Sequence, residues 1–309
     1  MRALVTGGAG FIGSHLAERL KGLGHEVLAV DNLASGAQRV SLLETLHIPL
    51  EQVDVRTDEF GDLVASFAPE AIFHLAAQID VRHSVADPVY DCGVNVVGSL
   101  RVLEAARLLG ARVLFASSGG TIYGEVDPSL LPVTEEAHGR PTSPYGIGKR
   151  VVEDYLRFYR TTWGTPFVSL ALANVYGPRQ DPHGEAGVVA IFAQRLLRGE
   201  TCVIYGDGGQ TRDFVYVSDV VDAFLAGLER GNGETFHIGT SRETSVTELY
   251  WAIARIIGVD LEPRYEPERA GELRRSSLDN AKARRHLGWE PRTSFDQGLR
   301  RTVEALRQD

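Results

Sequence analysis

Cysteine is almost absent from this chain, with only Cys92 and Cys202 among its 309 residues. Two cysteines cannot build the disulfide framework of a small secreted protein, and neither lies in a zinc-binding cluster, so no metal site is expected. The sequence also lacks an apolar run long enough to span a bilayer, and it does not begin with a signal-peptide pattern. These absences predict a cytoplasmic protein with no membrane partner.

Positive charge is scarce as well. The formal net charge is -9, and lysine occurs only as Lys21, Lys149 and Lys282. An acidic chain gains no general affinity for phosphate backbones, which argues against nucleic acid as a partner. An anionic small molecule would instead need a local group of arginines. Apolar residues make up 43% of the chain, so a large globular core is expected.

Short apolar strands alternate with amphipathic helices through the first half of the chain. The strand patterns cover residues 3–6, 26–31, 50–53, 71–75 and 112–117. Helical patterns lie between or after them, for example at 11–23, 95–109 and 145–161. This alternation predicts an α/β fold with a doubly wound parallel sheet of the Rossmann type, in which ligands bind at the carboxyl ends of the strands.

A glycine-rich turn, TGGAGFIG at 6–13, follows the first strand and opens the first helix. Its glycines satisfy both the G-x-G-x-x-G and the G-x-x-G-x-x-G spacing. Glycine permits positive φ and lets a pyrophosphate approach the backbone, and the helix N-terminus supplies N–H groups for it. The strand–turn–helix context indicates a dinucleotide site and not merely a glycine-rich loop.

Asp31 closes the second strand at about 20 residues from the glycines, where a carboxylate can accept the ribose hydroxyls of NAD. Because that carboxylate would repel the extra phosphate of NADP, NAD is the predicted cofactor. Asp54 and Val55 follow the third strand and could flank the adenine. Asp54 could equally be only a turn residue.

The second half of the chain is less regular and is not separated from the first by a linker. It has glycine-rich loops and helical patterns at 188–198, at 246–257 and, as the last helix, near 279–287. We expect residues 1–172 to form the NAD-binding domain, completed by a segment near 213–240. Residues 173–309 are expected to form a smaller, mixed domain for the substrate, with a cleft between the two.

Tyr145 and Lys149 lie four residues apart in a helical pattern, so their side chains share one face. A free tyrosine has a pKa of about 10 and is a poor base at neutral pH. A nearby cation lowers such a pKa by about 1–3 units. The pair therefore predicts a tyrosine that exchanges a proton with a sugar hydroxyl.

Several motifs occur in a fixed order along the chain. After the glycine turn and Asp31 come HLAA at 74–77, Asn95, SSGGTIYG at 117–124, the Tyr145/Lys149 pair, NVYGPR at 174–179, VIYGDGGQTRDFVYV at 203–217, LDNAKA at 278–283 and LGW at 287–289. Together they resemble the extended short-chain dehydrogenase/reductase family, in the branch that modifies nucleotide-sugars. The resemblance covers essentially the whole chain.

The resemblance implies roles for the matching residues. Tyr145 would be the acid/base, and Lys149 would also contact the nicotinamide ribose. The remaining cofactor-binding residues would be Gly7, Gly10, Phe11, Ile12, Gly13, Asn32, Leu75, Ala76, Ala77, Gln78 and Asn95. A UDP-sugar would be held by Asn174, Val188, Tyr205, Arg212 and Arg269. An acidic protein needs local positive charge to bind a diphosphate, and Arg212 and Arg269 could supply it. The same two residues could instead form surface ion pairs.

One position departs from the family pattern. Family members usually carry Ser or Thr as the third residue of the serine run, where the hydroxyl helps to polarise the sugar O4, and this chain has Gly119. Ser118 and Thr121 are near-equal candidates to replace it, with water as a further alternative. Ser117 is equally suited to satisfying backbone groups at the strand end.

The residues present favour one reaction of this branch, whose members all begin by oxidising the sugar at C4. Resembling dehydratases carry an Asp-Glu pair, and decarboxylases a nearby Glu, where this chain has Gly120 and Thr121. Elimination is therefore disfavoured, and inversion at C4 of a UDP-hexose through a 4-keto intermediate is expected. The alternatives are epimerisation of a UDP-uronic acid, another NAD-dependent nucleotide-sugar oxidation, or a non-catalytic redox sensor. The Tyr145/Lys149 pair argues against the sensor.

The resemblance carries two further expectations. In similar epimerases, a residue a few positions after the phosphate-binding arginine walls the sugar pocket, and counting from Arg269 reaches Ser276. This small residue would admit N-acetylated sugars, unless the loop takes another path and Ser276 faces solvent. A homodimer is expected through the helices at 95–109 and 145–161.

Overall fold

A parallel sheet forms the centre of the structure, which is a computed structural model describing residues 1–34, 36–37, 39–182, 187–269 and 273–308. The strands of the described residues are β1 (Arg2–Thr6), β2 (Glu26–Val30), β3 (Leu50–Glu51), β4 (Ala71–His74), β5 (Arg112–Ser118), β6 (Phe167–Leu172), β7 (Asn174–Tyr176), β8 (Val203–Tyr205), β9 (Thr211–Arg212), β10 (Phe214–Tyr216), β11 (Glu234–Ile238), β12 (Thr244–Ser245) and β13 (Arg264–Glu266).

Seven of these strands pair in the order β11-β6-β5-β4-β1-β2-β3, and every pair in this sheet is parallel. The chain winds outward from β1 in both directions, so the order reverses between β1 and β4. Ligands of such sheets bind at the carboxyl ends of the strands beside that reversal. The doubly wound sheet predicted from the sequence is therefore confirmed, and the glycine turn after β1 lies at the reversal.

Helices cover both faces of the sheet, which explains why its strands are apolar on both sides. They are α1 (Phe11–Gly22), α2 (Val40–Thr45), α3 (Asp58–Phe67), α4 (Val81–Ala86), α5 (Pro88–Cys92), α6 (Gly98–Leu109), α7 (Pro144–Trp163), α8 (Val188–Leu197), α9 (Val217–Glu229), α10 (Val246–Ile257), α11 (Ala281–His286) and α12 (Phe295–Gln308). One buried cluster packs α1 and α9 on the sheet, and a second packs α3, α6 and α7 on the opposite face.

A third buried cluster lies outside the main sheet. Helices α8, α10 and α12 pack together there against the short strands β7, β8 and β10. Phe192 of α8, Tyr250 of α10 and Leu299 of α12 are members of this cluster and are all buried. The chain thus builds a smaller layered unit at the end of the sheet where the glycine turn opens.

The helix predicted near 279–287 is present as α11 but is not the last, because α12 follows it. The helix predicted from Asn95 begins earlier, since a π-helical turn, Gly93–Val97, joins α5 to α6. Within the described part of the chain, no helix is both long and apolar enough to cross a membrane.

Candidate functional site

The glycine turn packs so tightly that only glycine fits its key positions. Gly7 has φ +69°, and a Cβ there would lie 2.8 Å from the backbone nitrogen of Ala76. A Cβ on Gly13 would lie 2.0 Å from the carbonyl oxygen of Gly7. Gly10 precedes α1, and no side chain among the described residues caps that helix. The first N–H groups of α1, including those of Phe11 and Ile12, are therefore placed to bind an anion such as a pyrophosphate.

Asp31 is anchored at the carboxyl end of β2, beside the glycine turn. One carboxylate oxygen accepts the N–H of Ala9 at 3.1 Å, and the other accepts the N–H of Leu33 at 2.8 Å. Burial raises the pKa of Asp31, and the two backbone N–H groups oppose that shift. A carboxylate offers about four lone-pair sites, so both oxygens can still accept ribose hydroxyls. The glycine turn and Asp31 together fit the adenosine diphosphate half of NAD.

Asp54 is engaged by protein groups. Its two oxygens accept hydrogen bonds from Arg56 Nε at 2.9 Å and Nη2 at 2.8 Å, and from Asn32 Nδ2 at 3.0 Å. The hydrogen bonds from Arg56 are the main reason that the pKa of Asp54 falls to about 2. These contacts favour the turn role that the sequence left open. Val55 is buried and packs on Gly98, where a Cβ would lie 2.9 Å from its Cγ2.

The loop after β4, residues 75–78, is fixed by Asn95. The Asn95 side chain accepts the N–H of Gln78 and donates to its carbonyl oxygen, both at 2.9 Å. The buried carboxylate of Asp91 in turn accepts from the side-chain amides of Asn95 and Gln78 at 2.9 Å. This loop, with Leu75, Ala76 and Ala77, lies against the glycine turn and completes its wall. Asp91 was missed from the sequence, where only its position four residues before Asn95 signals the contact.

Tyr145 and Lys149 lie together on α7, whose N-terminus is capped by the Ser143 hydroxyl. Lys149 is 3% exposed, and its Nζ donates to the carbonyl oxygen of Ala116 at 2.9 Å. The same Nζ lies 5.7 Å from the centroid of the Tyr145 ring. The two side chains are thus brought to the carboxyl end of β5, as their spacing predicts.

The expected lowering of the Tyr145 pKa is wrong for this structure. Burial raises the pKa of Tyr145 to about 12, and the Ser118 side chain only partly opposes the shift. Burial also lowers the pKa of Lys149 to about 8. Helical spacing locates a cation correctly, but it does not show how strongly the surrounding protein desolvates both groups.

Of the two candidate hydroxyls, Ser118 lies near the tyrosine. Its side chain is close enough to Tyr145 to oppose the rise in the pKa of the phenol. Thr121 instead directs its hydroxyl to the backbone carbonyl of Ser118, at 3.4 Å. The Ser117 hydroxyl donates to the buried carboxylate of Glu153 at 2.7 Å, which is a local structural contact. The geometry therefore favours Ser118 over Thr121 as the replacement for the hydroxyl lost at position 119.

Leu278 explains why glycine stands at position 119. A Cβ on Gly119 would lie 2.3 Å from Leu278 Cδ1 and 3.1 Å from Leu278 Cγ. Leu278 is 1% exposed and packs among Ile122, Val133 and Ala171, so it has little room to move. The departure from the family pattern is therefore a packing consequence of a residue far away in the sequence.

Of two further predicted substrate residues, Asn174 lies beside the catalytic segment and Val188 lies on the smaller unit. Asn174 begins β7, directly after β6, and its side-chain Oδ1 lies 3.8 Å from where a Cβ on Gly120 would be. The catalytic segment and Asn174 are thus neighbours. Val188 is the first residue of α8, at the edge of the smaller unit.

Tyr205 and Arg269 form a stacked pair. The guanidinium carbon of Arg269 lies 3.6 Å from the centroid of the Tyr205 ring, which is the geometry of a strong cation–π contact. Arg212 lies on β9, which pairs with β12, and its Nη1 donates to the carbonyl oxygen of Thr211 at 2.8 Å. The stacked pair therefore presents a flat cationic surface, which suits a nucleoside diphosphate.

Ser276 is 9% exposed, so it does not face solvent. The chain before it is anchored by two ion pairs, Arg274 with Asp207 at 2.8 Å and Arg275 with Glu243 at 2.6 Å. Residues 270–272, which separate Arg269 from this segment, lie outside the described residues.

The chain is similar to known proteins along its whole length. The family model described as NAD dependent epimerase/dehydratase matches residues 3–239. The UDP-glucose 4-epimerase of Mycolicibacterium smegmatis is 50% identical, over 99% of each chain. The crystal structure of the UDP-glucose 4-epimerase from Thermotoga maritima with UDP-glucose is 46% identical, with a TM-score of 0.96 over 100% of this chain and 99% of that one. The Thermus thermophilus UDP-glucose 4-epimerase in complex with NAD is 43% identical, with a TM-score of 0.92 over 99% of both chains.

Proposed function

The chain belongs to the NAD-dependent epimerase/dehydratase family, and on that premise we propose that it inverts the C4 hydroxyl of a UDP-hexose with NAD as its cofactor. The observation that carries this proposal is the placement of Tyr145 and Lys149 together at the carboxyl end of β5, next to a segment that has Gly120 and Thr121 where eliminating enzymes need carboxylates. The site can therefore move a proton at one hydroxyl, but it lacks at these positions the second acid/base group for loss of water.

When bound, NAD supplies the reversible oxidation of the sugar at C4. Tyr145 takes the proton of the C4 hydroxyl as the 4-keto sugar forms. It returns the proton to the oxygen at C4 after the 4-keto ring has rotated and the sugar is reduced again. Because burial disfavours the phenolate, the base form of Tyr145 needs a neighbouring positive charge, and Lys149 on the same helix face provides it. Ser118 donates to the sugar oxygen and orients it toward Tyr145.

The UDP portion anchors the sugar while its ring turns. We assign the diphosphate to Arg212 and Arg269 and the base to the Tyr205 face, because Arg269 stacks on Tyr205 and Arg212 follows Tyr205 closely in the chain, on β9. Asn174 joins them to the catalytic segment. A substrate held only by its nucleotide leaves the sugar free to present either face to the cofactor, which inversion requires.

Incubation of the purified protein with UDP-galactose tests the proposed reaction. We expect UDP-glucose to form at constant total UDP-sugar and without net NADH, since the cofactor is restored in each turnover. Continuing stoichiometric NADH production would identify a dehydrogenase and contradict epimerisation. A parallel incubation with UDP-glucuronate, followed for UDP-galacturonate, separates the uronic-acid alternative.

Substrate breadth is proposed to follow from Ser276. Its side chain is small and buried, and its neighbours Arg274 and Arg275 are held by ion pairs that fix the register of the segment. We propose that Ser276 lines the sugar pocket and leaves room for an acetamido group, so that UDP-GalNAc and UDP-GlcNAc are interconverted as well. An enzyme inert toward UDP-GalNAc would refute this breadth.

A second copy of the chain is the proposed partner of α6 and α7. These helices pack on each other and leave a set of apolar side chains exposed: Leu108, Leu109, Ile147, Tyr155, Phe158 and Trp163. A two-fold axis beside them would bury this set twice. Phe158→Asp should convert a dimer to a monomer in sedimentation velocity, whereas Tyr265→Asp, at an exposed aromatic on β13, should leave the dimer intact.

The boundary between the NAD-binding and the substrate-binding parts of the chain is proposed to follow from the order of strands in the main sheet. Strand β11 lies between residues 213 and 240 and pairs with β6, which supports an NAD-binding unit of residues 1–172 completed by that segment. Residues 173–309 would hold the UDP-sugar. Cys92 and Cys202 are unpaired, which supports our proposal that the protein works in the cytoplasm.

A further inference from the structure

A set of polar contacts joins the loop at 177–182 to the glycine turn and α1. His15 on α1 hydrogen-bonds through Nε2 to the carbonyl oxygen of Pro178 at 2.9 Å. Arg39 donates from Nε to the next carbonyl oxygen, that of Arg179, at 3.0 Å, and from Nη2 to the same oxygen. Glu18 on α1 pairs with the guanidinium of Arg179 at 2.5 Å. We call these five residues the clasp.

The clasp lies directly on the proposed cofactor site. Arg39 also donates from Nη1 to the carbonyl oxygen of Ala9, within the glycine turn, at 3.4 Å. One guanidinium therefore bridges the glycine turn to a loop from the second half of the chain, across about 140 residues of sequence. Asp31, the proposed ribose ligand, is close enough to interact electrostatically with the same Arg39.

The backbone at the clasp is held in an unfavourable conformation. Arg179 has φ +68°, a left-handed conformation that costs free energy for a residue other than glycine. Such a conformation persists only where surrounding contacts stabilise it. Here the carbonyl oxygens of Pro178 and Arg179 and the side chain of Arg179 are all hydrogen-bonded. The loop is therefore placed by the clasp and not by its own local preference.

The clasp also places a positive charge beside the glycine turn. The Arg39 guanidinium contacts Ala9, whereas the Arg179 guanidinium pairs with Glu18 farther along α1, and Nη1 of Arg179 is buried with no hydrogen-bond partner among the described residues. Burial and Arg179 lower the pKa of His15 to about 4, so the imidazole is neutral near pH 7 and adds no further charge. An anionic group bound at the glycine turn would be attracted by the Arg39 guanidinium on one side and by the N-terminus of α1 on the other.

We propose that the clasp retains NAD, by tying the loop at 177–182 over the glycine turn so that the cofactor leaves only after the Arg39 and Glu18 contacts break. This inference rests on the proposed NAD-dependent function. It accounts for how an enzyme that regenerates its cofactor in each turnover keeps it bound between turnovers. Arg39 and Glu18 act here through the loop, so they are positioning residues and are not catalytic.

The release rate of NAD in the absence of any sugar tests the proposal. Protein loaded with radiolabelled NAD is mixed with excess unlabelled NAD, and the label that remains bound is followed by rapid gel filtration. Arg39→Ala should release NAD at least about tenfold faster than the parent protein, a change equivalent to about 1.4 kcal/mol of barrier. Arg300→Ala is the matched control, because Arg300 forms an exposed ion pair with Asp296 on α12. It should leave release unchanged.

Two further variants separate the clasp from a simple attraction of cation to phosphate. Arg39→Lys keeps the charge but replaces the three guanidinium nitrogens, which donate to the carbonyl oxygens of Ala9 and Arg179 from separate positions, with a single nitrogen. Glu18→Gln leaves Arg39 intact while loosening Arg179. Both should accelerate release in the same direction as Arg39→Ala. Parent-like release in Arg39→Lys together with Glu18→Gln would show that charge alone retains NAD and would overturn the clasp. If Arg39→Ala fails to fold, these two variants still decide.

Failure of the clasp and failure of the proposed epimerisation give different results. If the parent protein holds NAD and the variants release it faster, but UDP-galactose is not converted, then the clasp stands and the assigned reaction fails. If the parent protein converts UDP-galactose and all variants release NAD at its rate, then the reaction stands and the clasp fails.

Discussion

Replacing Gly119 with alanine places a methyl group where Leu278 already lies. The new Cβ would be 2.3 Å from Leu278 Cδ1, 2.9 Å from Cδ2 and 3.1 Å from Cγ. Unstrained carbon atoms prefer about 3.5–4.0 Å. Leu278 can give way only by moving into its own buried surroundings, so we expect Gly119→Ala to lower the free energy of unfolding by about 1–3 kcal/mol.

The neighbouring glycine supplies the control. A Cβ on Gly120 would meet its nearest neighbour, Asn174 Oδ1, at 3.8 Å, an ordinary contact. Gly120→Ala should therefore change the free energy of unfolding by less than about 0.5 kcal/mol. Urea unfolding followed by circular dichroism measures both variants, provided that the m-values agree with that of the parent protein.

A double-mutant cycle assigns the effect to the leucine. Leu278→Ala alone should cost about 2–5 kcal/mol, because it empties part of a buried cluster. In the double variant the alanine at 119 no longer clashes, and its methyl group fills part of that space. The two costs should therefore fall short of additivity by about 1–3 kcal/mol. Strict additivity, or a neutral Gly119→Ala, would refute the packing explanation for the missing hydroxyl.

Four other outcomes are expected. Tyr145→Phe should lower kcat by about 100- to 10,000-fold with UDP-sugar binding retained in calorimetry, and activity near that of the parent protein would remove Tyr145 from the mechanism. Ser118→Ala should lower kcat by at least about tenfold, and Thr121→Val by less; the reverse order would restore Thr121 as the polarising hydroxyl. Ser276→Tyr should lower the ratio of kcat/KM for UDP-GalNAc to that for UDP-galactose by overpacking worth about 1–3 kcal/mol, and an unchanged ratio would place the pocket wall elsewhere. Burial lowers the pKa of His74 to about 3, so the unfolded state binds more protons from about pH 3 to 6.5, and the free energy of unfolding should fall by about 2 kcal/mol from pH 7 to pH 5 through this group; constant stability in urea titrations over that interval would contradict its neutral, buried state.

The sequence by itself determined the sheet and the location of the site. Three signals are local: the periodic spacing of apolar residues, the spacing of the glycines, and Asp31 at the end of a strand. Such signals are enough to define a strand–turn–helix unit and its parallel neighbours. The four-residue spacing of Tyr145 and Lys149 also placed both on one face of α7.

One helix, α12, was not predicted from the sequence because its local signal is weak. Helix α12 is largely polar and contains Gly298, where a Cβ would lie 2.2 Å from the hydroxyl of Tyr176. Its narrow apolar stripe, with Leu299 and Val303 buried, gains its stabilisation from packing on α8 and α10. A helix of this kind is defined mainly by its partners, since tertiary packing outweighs intrinsic propensity.

Only the tertiary structure decided the fine chemistry of the site. The choice of Ser118 over Thr121 depends on which side chain lies near Tyr145, and the raised pKa of Tyr145 depends on how much water the fold removes from it. Leu278 dictates Gly119, and Arg39 holds the carbonyl of Arg179, although each pair is more than 100 residues apart. Such contacts leave no periodic or local trace in the sequence, because they exist only after the two halves of the chain have packed.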